Sequence, residues 1–175
     1  MKMDAIKLVS PTIEWKDKAI NYRKEHFEYG EMIIYGSELF DKINNYEEWL
    51  ESVTKNASPL TVDPNWVLTD TYFAVREKDE KIVGIIDLRH FLNDFLKDFG
   101  NCGYSVRPSE RKKGYATEML RQIIIRAKDC KMKELNLAVE KSNIPSIKTI
   151  NRNGGVYERS FHYEGEEADI YKIIL

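Results

Sequence analysis

The sequence lacks the features that mark membrane-inserted, secreted and disulfide-stabilised proteins. Its 175 residues contain no apolar run that approaches the roughly 18 residues needed to span a bilayer. The first residues, 1–7, lack the apolar core of a signal peptide. The two cysteines, Cys102 and Cys130, have a spacing that predicts neither a disulfide framework nor a metal site. We therefore expect a cytoplasmic protein that uses no metal and does not bind membranes.

Two common nucleotide-binding motifs are also absent, since the chain has no G-x-x-x-x-G-K-[ST] loop and no G-x-G-x-x-G turn. Its net charge of −2 is unevenly distributed. The stretch 107–133 carries nine Lys and Arg against three acidic residues, a balance of +6, which leaves −8 for the rest. A basic segment in an otherwise acidic chain favours a small polyanionic ligand over nucleic acid. The length and the 42 % apolar content predict one globular domain spanning 1–175.

The most informative stretch is 104–120, which is typical of a strand, a tight basic turn and a helix. Pro108 ends the strand, and three consecutive cations at 111–113 precede Gly114. From Tyr115 the apolar residues fall at helical spacing. The first turn of such a helix has free N–H groups at the positive end of the helix dipole, and glycine lets an anion approach the backbone. The stretch therefore predicts a phosphate or pyrophosphate site, with an ordinary basic helix start as the alternative.

The rest of the chain predicts an α+β fold. Strands are expected at 6–9, 71–76, 81–89, 101–106, 134–139, 156–161 and 169–175, and helices from about 14 into the twenties, at 46–55, from 115 to about 130 and at 143–152. Thr12, Asn45 and Asn143 are the predicted helix caps. The segment 28–40 has no firm assignment, and 91–99 is expected to be a loop or a short helix.

The motif Arg111-x-x-Gly114-x-Ala116 resembles the pyrophosphate loop of the GNAT acyl-CoA N-acyltransferases, and Asn143 to Ser146, followed by the glycines at 154–155, resembles their second motif. The element order matches as well. The resemblance implies the GNAT fold, a mixed and mostly antiparallel sheet of six to seven strands flanked by about four helices. The stretch Gly103–Leu120 is similar to a bacterial subgroup of that family.

The resemblance also implies that acetyl-CoA, or coenzyme A, binds as cosubstrate. Its pantetheine arm would lie along a strand end, its pyrophosphate on the basic turn, and Asn143 would contact it, although Asn143 can equally be a plain helix cap. The implied binding residues are Tyr104, Ser105, Val106, Arg111, Lys112, Lys113, Gly114, Tyr115, Ala116, Thr117, Asn143 and Ser146. In this family a backbone N–H near Val106 would polarise the thioester carbonyl.

The catalytic positions depart from the family pattern. The usual acid, a tyrosine seven residues after the motif asparagine, is Ile150 here, and a carboxylate common five residues before that asparagine is Ala138. Either the thiolate leaves with help from water, or another residue is the acid, for which Tyr157 and Tyr104 are the candidates. His90 and Glu140 are the candidate bases, each of which could instead be an ordinary surface or core residue.

The implied function is an N-acetyltransferase in which a primary amine, of a small molecule or a protein, attacks acetyl-CoA directly. One alternative is an acyl-CoA-binding regulatory or interaction domain with impaired catalysis, and another is a transferase of longer acyl groups. The acidic N-terminal half mildly favours a cationic acceptor, for example a polyamine, an aminoglycoside or a lysine side chain. Homodimers are common for this fold.

Overall fold

The computed structural model describes residues 2–175, which form seven strands and four α-helices. The strands are β1 Ile6–Val9, β2 Thr69–Arg76, β3 Lys81–Arg89, β4 Tyr104–Val106, β5 Glu134–Glu140, β6 Val156–Tyr163 and β7 Glu166–Ile174. The helices are α1 Lys16–Glu28, α2 Tyr46–Asn56, α3 Tyr115–Asp129 and α4 Ile144–Arg152. Short 3-10 helices at Ile13–Trp15 and Pro108–Glu110 precede α1 and α3. Among the described helices, none combines the length and apolarity that crossing a membrane requires.

The α+β fold is confirmed, with its seven strands divided between two antiparallel sheets. One sheet has the order β1-β2-β3-β4 and the other the order β5-β7-β6. A single isolated bridge, between Gly100 and Leu137, joins the strand entering β4 to β5. Beyond that bridge the described residues form no ladder between β4 and β5. The two sheets therefore diverge and leave a gap beside β4.

Helices cover both faces of the four-stranded sheet. On one face, Trp49 of α2 packs on Phe73 of β2, in a cluster with the buried residues of α1. On the other face, the apolar stripe of α3, with Met119 and Leu120 fully buried, packs against β1, β3 and β4. The helical periodicity of 115–127 thus does place one face of α3 in the core.

Most predicted elements are confirmed, and the differences have local causes. Asn45 caps α2, since its Oδ1 accepts from the Glu48 N–H at 2.9 Å, whereas the side chain of Thr12 makes no capping bond. The strand expected from Asn101 begins only at Tyr104. Gly100, at φ +78°, lies so close to Asn136 that the chain there contacts β5, and the Gly103 N–H donates to the Asp87 side chain instead of to a backbone carbonyl of β3.

Candidate functional site

The turn before α3 exposes a run of backbone donors. Gly114 lies at φ +89° and caps α3, and Lys112 lies at φ +63°. The first bond of the helix runs from the Glu118 N–H to the Gly114 carbonyl at 3.2 Å. In the part of the chain that the structure describes, no N–H from 112 to 117 makes a well-formed hydrogen bond. These donors lie at the positive end of the α3 dipole, so the turn suits a phosphate group.

The three cations of the turn differ in what they contact. The Arg111 guanidinium donates to both carboxylate oxygens of Glu31, at 2.6 and 2.7 Å, and its Nε donates to the Val106 carbonyl at 3.2 Å. Lys113 donates to Glu110 at 2.7 Å. Lys112 has no ion-pair partner within residues 2–175. Lys112 is therefore the cation most available to an anion in the turn, while the Arg111 side chain holds the loop that contains Glu31.

A buried carboxylate anchors the turn to the sheet. Glu110, 5 % exposed, accepts from Arg76 at 3.0 Å, from Lys81 at 2.8 Å and from Lys113. Burial by itself would raise the pKa of Glu110, but the hydrogen bonds from Lys113 and Lys81 lower that pKa to about 2. The carboxylate is thus charged at neutral pH and ties two strands to the turn. A turn fixed in this way loses little entropy when it binds a ligand.

A second anchor joins the turn to α1. Arg107 is buried and donates to Glu25 at 2.8 Å and to the Ile82 carbonyl at 2.7 Å. Glu25 in turn accepts from the Ser109 N–H at 2.8 Å. Burial by itself would raise the pKa of Glu25, but the hydrogen bonds from Ser109 and Arg107 lower it. The basic turn is therefore held from both faces of the sheet.

The open edge of β4 faces the gap between the sheets. The Asp87 N–H donates to the Gly103 carbonyl and the Arg107 N–H to the Val83 carbonyl, so the residues on either side of β4, 103 and 107, bond to β3. In an antiparallel ladder the alternate residues point their backbone groups the other way. Tyr104 and Val106 therefore direct their N–H groups toward β5, where the described chain provides no strand partner.

Residues predicted from two different motifs meet across this gap. The hydroxyl groups of Tyr104 and Ser146 are 2.7 Å apart, which joins β4 to the first turn of α4. Asn143 caps α4, since its Oδ1 accepts from the Ser146 N–H at 3.2 Å. Burial raises the pKa of Tyr104, so its hydroxyl stays protonated at neutral pH. The predicted helix-cap role of Asn143 is confirmed, and its contact with a ligand stays a prediction.

The loop between α1 and α2, which has no assignment from the sequence, packs against β4 and the residue before it. At φ +73°, Gly36 lies so close to Gly103 that a Cβ on it would sit 2.1 Å from the Gly103 carbonyl oxygen. Ser105 Oγ donates to the Tyr35 carbonyl at 2.9 Å. The Tyr35 hydroxyl lies 3.5 Å from Glu140 at the end of β5. Tyr35 thus spans the gap from β4 to β5.

The same loop brings a carboxyl group to the strand entering β4. Glu38, 7 % exposed, and Asp87, fully buried, both contact Nη2 of Arg89, at 3.3 and 3.2 Å. Oδ1 of Asp87 accepts from the Gly103 N–H at 2.6 Å. Burial and the Asp87 carboxylate raise the pKa of Glu38 to about 8. Glu38 and Leu39 both adopt positive φ, and such strain is concentrated at functional sites. The arrangement can exchange a proton near neutral pH.

The three residues predicted to be catalytic lie in different places. Glu140 lies at the mouth of the gap, beside Tyr35. His90 lies past the end of β3 and pairs with Asp70 at 2.7 Å, and Tyr157, half exposed on β6, pairs with Ser160 at 2.9 Å. Among the hydrogen bonds of the described residues, none joins His90 or Tyr157 to Tyr104.

Ile150, at the position where the family usually has a tyrosine, is buried in the core and packs against Gly155. Sequence reasoning missed Glu38 and Tyr35 as site residues. The only signal that the sequence offered for them was Gly36 within an acidic and aromatic stretch.

Comparisons with known proteins identify the family and the fold. The model of the family described as "Acetyltransferase (GNAT) domain" matches residues 24–156. No curated protein matches the chain. Among solved structures, the microcin C7 self-immunity acetyltransferase MccE, in complex with acetyl-CoA and AMP, is similar with a TM-score of 0.72 at 16 % identity, covering 98 % of this chain and 93 % of that one.

Two further solved structures are similar. The spermidine/spermine N-acetyltransferase SpeG from Vibrio cholerae, crystallised in mutant forms, has a TM-score of 0.66 at 12 % identity and covers 97 % and 93 % of the two chains. The GNAT domain of PAT from S. lividans has a TM-score of 0.63 at 12 % identity and covers 97 % and 89 %. At these identities the likeness concerns the fold alone.

Proposed function

The chain belongs to the GNAT acetyltransferase family, and we propose that it transfers the acetyl group of acetyl-CoA to a primary amine. The observation that carries this proposal is the run of free N–H groups from 112 to 117 around Gly114. A Cβ at Gly114 would crowd this turn beside Met3, and the positive φ itself disfavours any other residue. The turn fits a diphosphate, because the donors, the helix dipole and Lys112 all favour negative charge. When bound, acetyl-CoA supplies the acetyl group as a thioester.

The gap beside β4 would hold and polarise the reacting carbonyl. The N–H groups of Tyr104 and Val106 point into the gap and have no strand partner there within the described chain. A donor held rigidly in a ladder can stabilise negative charge on a carbonyl oxygen without reorganising. We assign this role to the Val106 N–H. The Tyr104 hydroxyl, which is protonated at neutral pH, is the candidate to protonate the departing thiolate.

The buried carboxyl pair is the best candidate for the proton acceptor. As the amine nitrogen bonds to the acetyl carbon and the carbon–sulfur bond breaks, the nitrogen must lose a proton. Glu38 lies against the strand entering β4 through Asp87 and the Gly103 N–H, and its pKa of about 8 suits a general base. Glu140, which Tyr35 contacts, is the alternative base on the opposite wall of the gap.

A second function is favoured by one observation. Ile150 occupies the position of the usual acid, and its side chain is buried in the core. An isoleucine there cannot donate a proton to the thiolate. Without a replacement such as Tyr104, the chain would bind acyl-CoA as a regulatory or interaction domain and would not turn over.

The test is a thiol-release assay with acetyl-CoA over a panel of amines, together with calorimetry of coenzyme A binding. The panel includes spermidine and spermine, the substrates named for SpeG, along with an aminoglycoside and a lysine peptide. Acetylation of any amine supports the proposed transferase. Tight binding of coenzyme A with no turnover supports the regulatory domain, and the absence of binding overturns both functions.

A further inference from the structure

Three metal-ligating side chains meet at the far end of α3. Asp70 comes from β2, His90 follows β3, and Cys130 caps the carboxyl end of α3. One ligand atom from each lies within 4.8 Å of the other two. His90 Nε2 and Asp70 Oδ2 are already 2.7 Å apart. The cluster therefore needs only small side-chain movements to surround one ion.

The types of ligand indicate which ion would bind. A thiolate, an imidazole and a carboxylate together suit zinc, whereas magnesium and calcium prefer oxygen ligands alone. Three protein ligands leave a fourth tetrahedral position open to water. We propose that Asp70, His90 and Cys130 bind one Zn²⁺ ion.

The surroundings of the cluster favour a cation. Cys130 lies at the negative end of the α3 dipole, where its N–H donates to the Arg126 carbonyl at 3.0 Å. The guanidinium of Arg126, which lies nearby, is held on the face of Tyr72 at 4.4 Å and donates to the Leu8 carbonyl at 3.1 Å. These two contacts fix the position of the Arg126 guanidinium but do not cancel its charge.

Solvent can also reach the ligands. Cys130 is exposed, and the side chains of His90 and Asp70 are 20 % and 24 % exposed. His90 also lines an open groove of about 280 Å³. A hydrated ion could therefore enter without opening the core.

The backbone on which the ligands stand is well fixed. The His90 N–H donates to the Leu68 carbonyl at 3.0 Å, just before the residues of β2 that carry Asp70. Zinc would join α3 to the paired strands β2 and β3. An ion that binds the folded state and not the unfolded chain stabilises the fold by mass action.

This site was not visible in the sequence, because 20 and 40 residues separate the three ligands along the chain (90 minus 70, and 130 minus 90). It is also separate from the basic turn, since the 15 residues of α3 lie between them, about 22 Å at 1.5 Å per residue. The zinc proposal therefore does not depend on the proposed acetyl transfer.

The experiment is a titration of the chelator-treated full chain with Zn²⁺, with Co²⁺ as a spectroscopic probe. We expect one equivalent to bind, a near-ultraviolet thiolate-to-cobalt charge-transfer band, and a higher melting temperature. Cys130→Ser should abolish the band, and Asp70→Asn should weaken Zn²⁺ binding at least about tenfold. His162→Gln, which removes an exposed histidine on β6, is the matched control and should change neither.

The proposal is overturned if Zn²⁺ does not bind at about 1 mM. It is equally overturned if Cys130→Ser and Asp70→Asn bind Zn²⁺ as the unchanged chain does. The melting temperature provides a second measurement, since added Zn²⁺ should raise it for the unchanged chain and not for Cys130→Ser. Cys130 is exposed, so this substitution leaves the core intact.

Discussion

Helix α3 ends in two clusters of opposite character. At its amino end, free N–H groups and Lys112 surround Gly114 and suit an anion. At its carboxyl end, Cys130 lies beside Asp70 and His90 and suits a cation. The helix dipole adds to the preference at each end. Since α3 separates the two clusters by its whole length, a change at one end should leave the ligand of the other end unaffected.

The largest effect is expected from Gly114→Glu. The new side chain must adopt φ near +89°, which costs strain, and it places a carboxylate where the diphosphate would lie. We expect the affinity for coenzyme A to fall by more than about 1,000-fold. Isothermal calorimetry measures this directly.

Gly165→Glu is the matched control, because Gly165 has a similar φ of +83° in the open turn between β6 and β7. It should bind coenzyme A as the unchanged chain does. Zn²⁺ binding should be the same in both variants. If Gly114→Glu still bound coenzyme A tightly, the amino end of α3 would not be the phosphate site.

The second prediction concerns the anchor of the same turn. Glu110→Gln removes the charge that pairs with Arg76 and Lys81 in a buried position. Removing one partner of a buried ion pair leaves the others uncompensated, so we expect a loss of about 3 kcal/mol of unfolding free energy. Urea denaturation measures it. Glu51→Gln, which breaks an exposed i,i+4 pair with Lys55, is the matched control and should leave the urea midpoint nearly unchanged.

The pH dependence of that loss follows from the low pKa of Glu110. Its folded pKa, about 2, lies below the ordinary value of 4.5, so the stabilisation is fully present above pH 4.5 and is lost as the pH falls toward 2. The stability difference between Glu110→Gln and the unchanged chain should therefore shrink over this interval. A difference that stayed constant would mean that the charge of Glu110 does not stabilise the turn.

The third prediction places the proton transfer at the loop that covers β4. Glu38→Gln keeps the shape of the side chain and removes the base, so kcat should fall about 100-fold. Glu28→Gln, the same change at the exposed end of α1, should leave kcat unaltered. If kcat fell instead in Glu140→Gln and not in Glu38→Gln, the base would lie on the β5 wall of the gap.

The fourth prediction uses the interaction between the two carboxyl groups. A base must be ionised, so the ratio of kcat/KM for the unchanged chain to that for Glu38→Gln should rise with pH through about 8 and then level off. The ionisation of the acceptor amine affects the kcat/KM of both proteins equally, so it cancels when one pH profile is divided by the other. Asp87→Asn removes a like charge, and the same rise should then occur at lower pH. If the kcat/KM ratio rose at the same pH in Asp87→Asn, Asp87 would not raise the pKa of Glu38.

The sequence allowed the amino end of α3 to be predicted because its chemistry is local. Gly114, the cations before it and the helical stripe after it are contiguous, and backbone donors need no distant partner. The carboxyl end and the Glu38 cluster depend on residues brought together from separate elements. Glu38 reaches Asp87 only because Gly36 allows the loop to press on Gly103. The segment 28–40 has neither helical nor strand periodicity from which that contact could be predicted, so the sequence gives this loop no assignment.

The smallest effect should come from single lysines at the two ends of α3. Lys112 has no ion-pair partner within the described chain and lies beside the free N–H groups, so Lys112→Gln should weaken coenzyme A binding about threefold, a surface-charge effect that falls with added salt. Lys128→Gln removes the same charge in the last turn of α3 and should have no effect on this binding. Calorimetry at low and high salt separates the two. An equal loss in both variants would mean that the net charge of the protein, and not the end of the helix, attracts the cofactor.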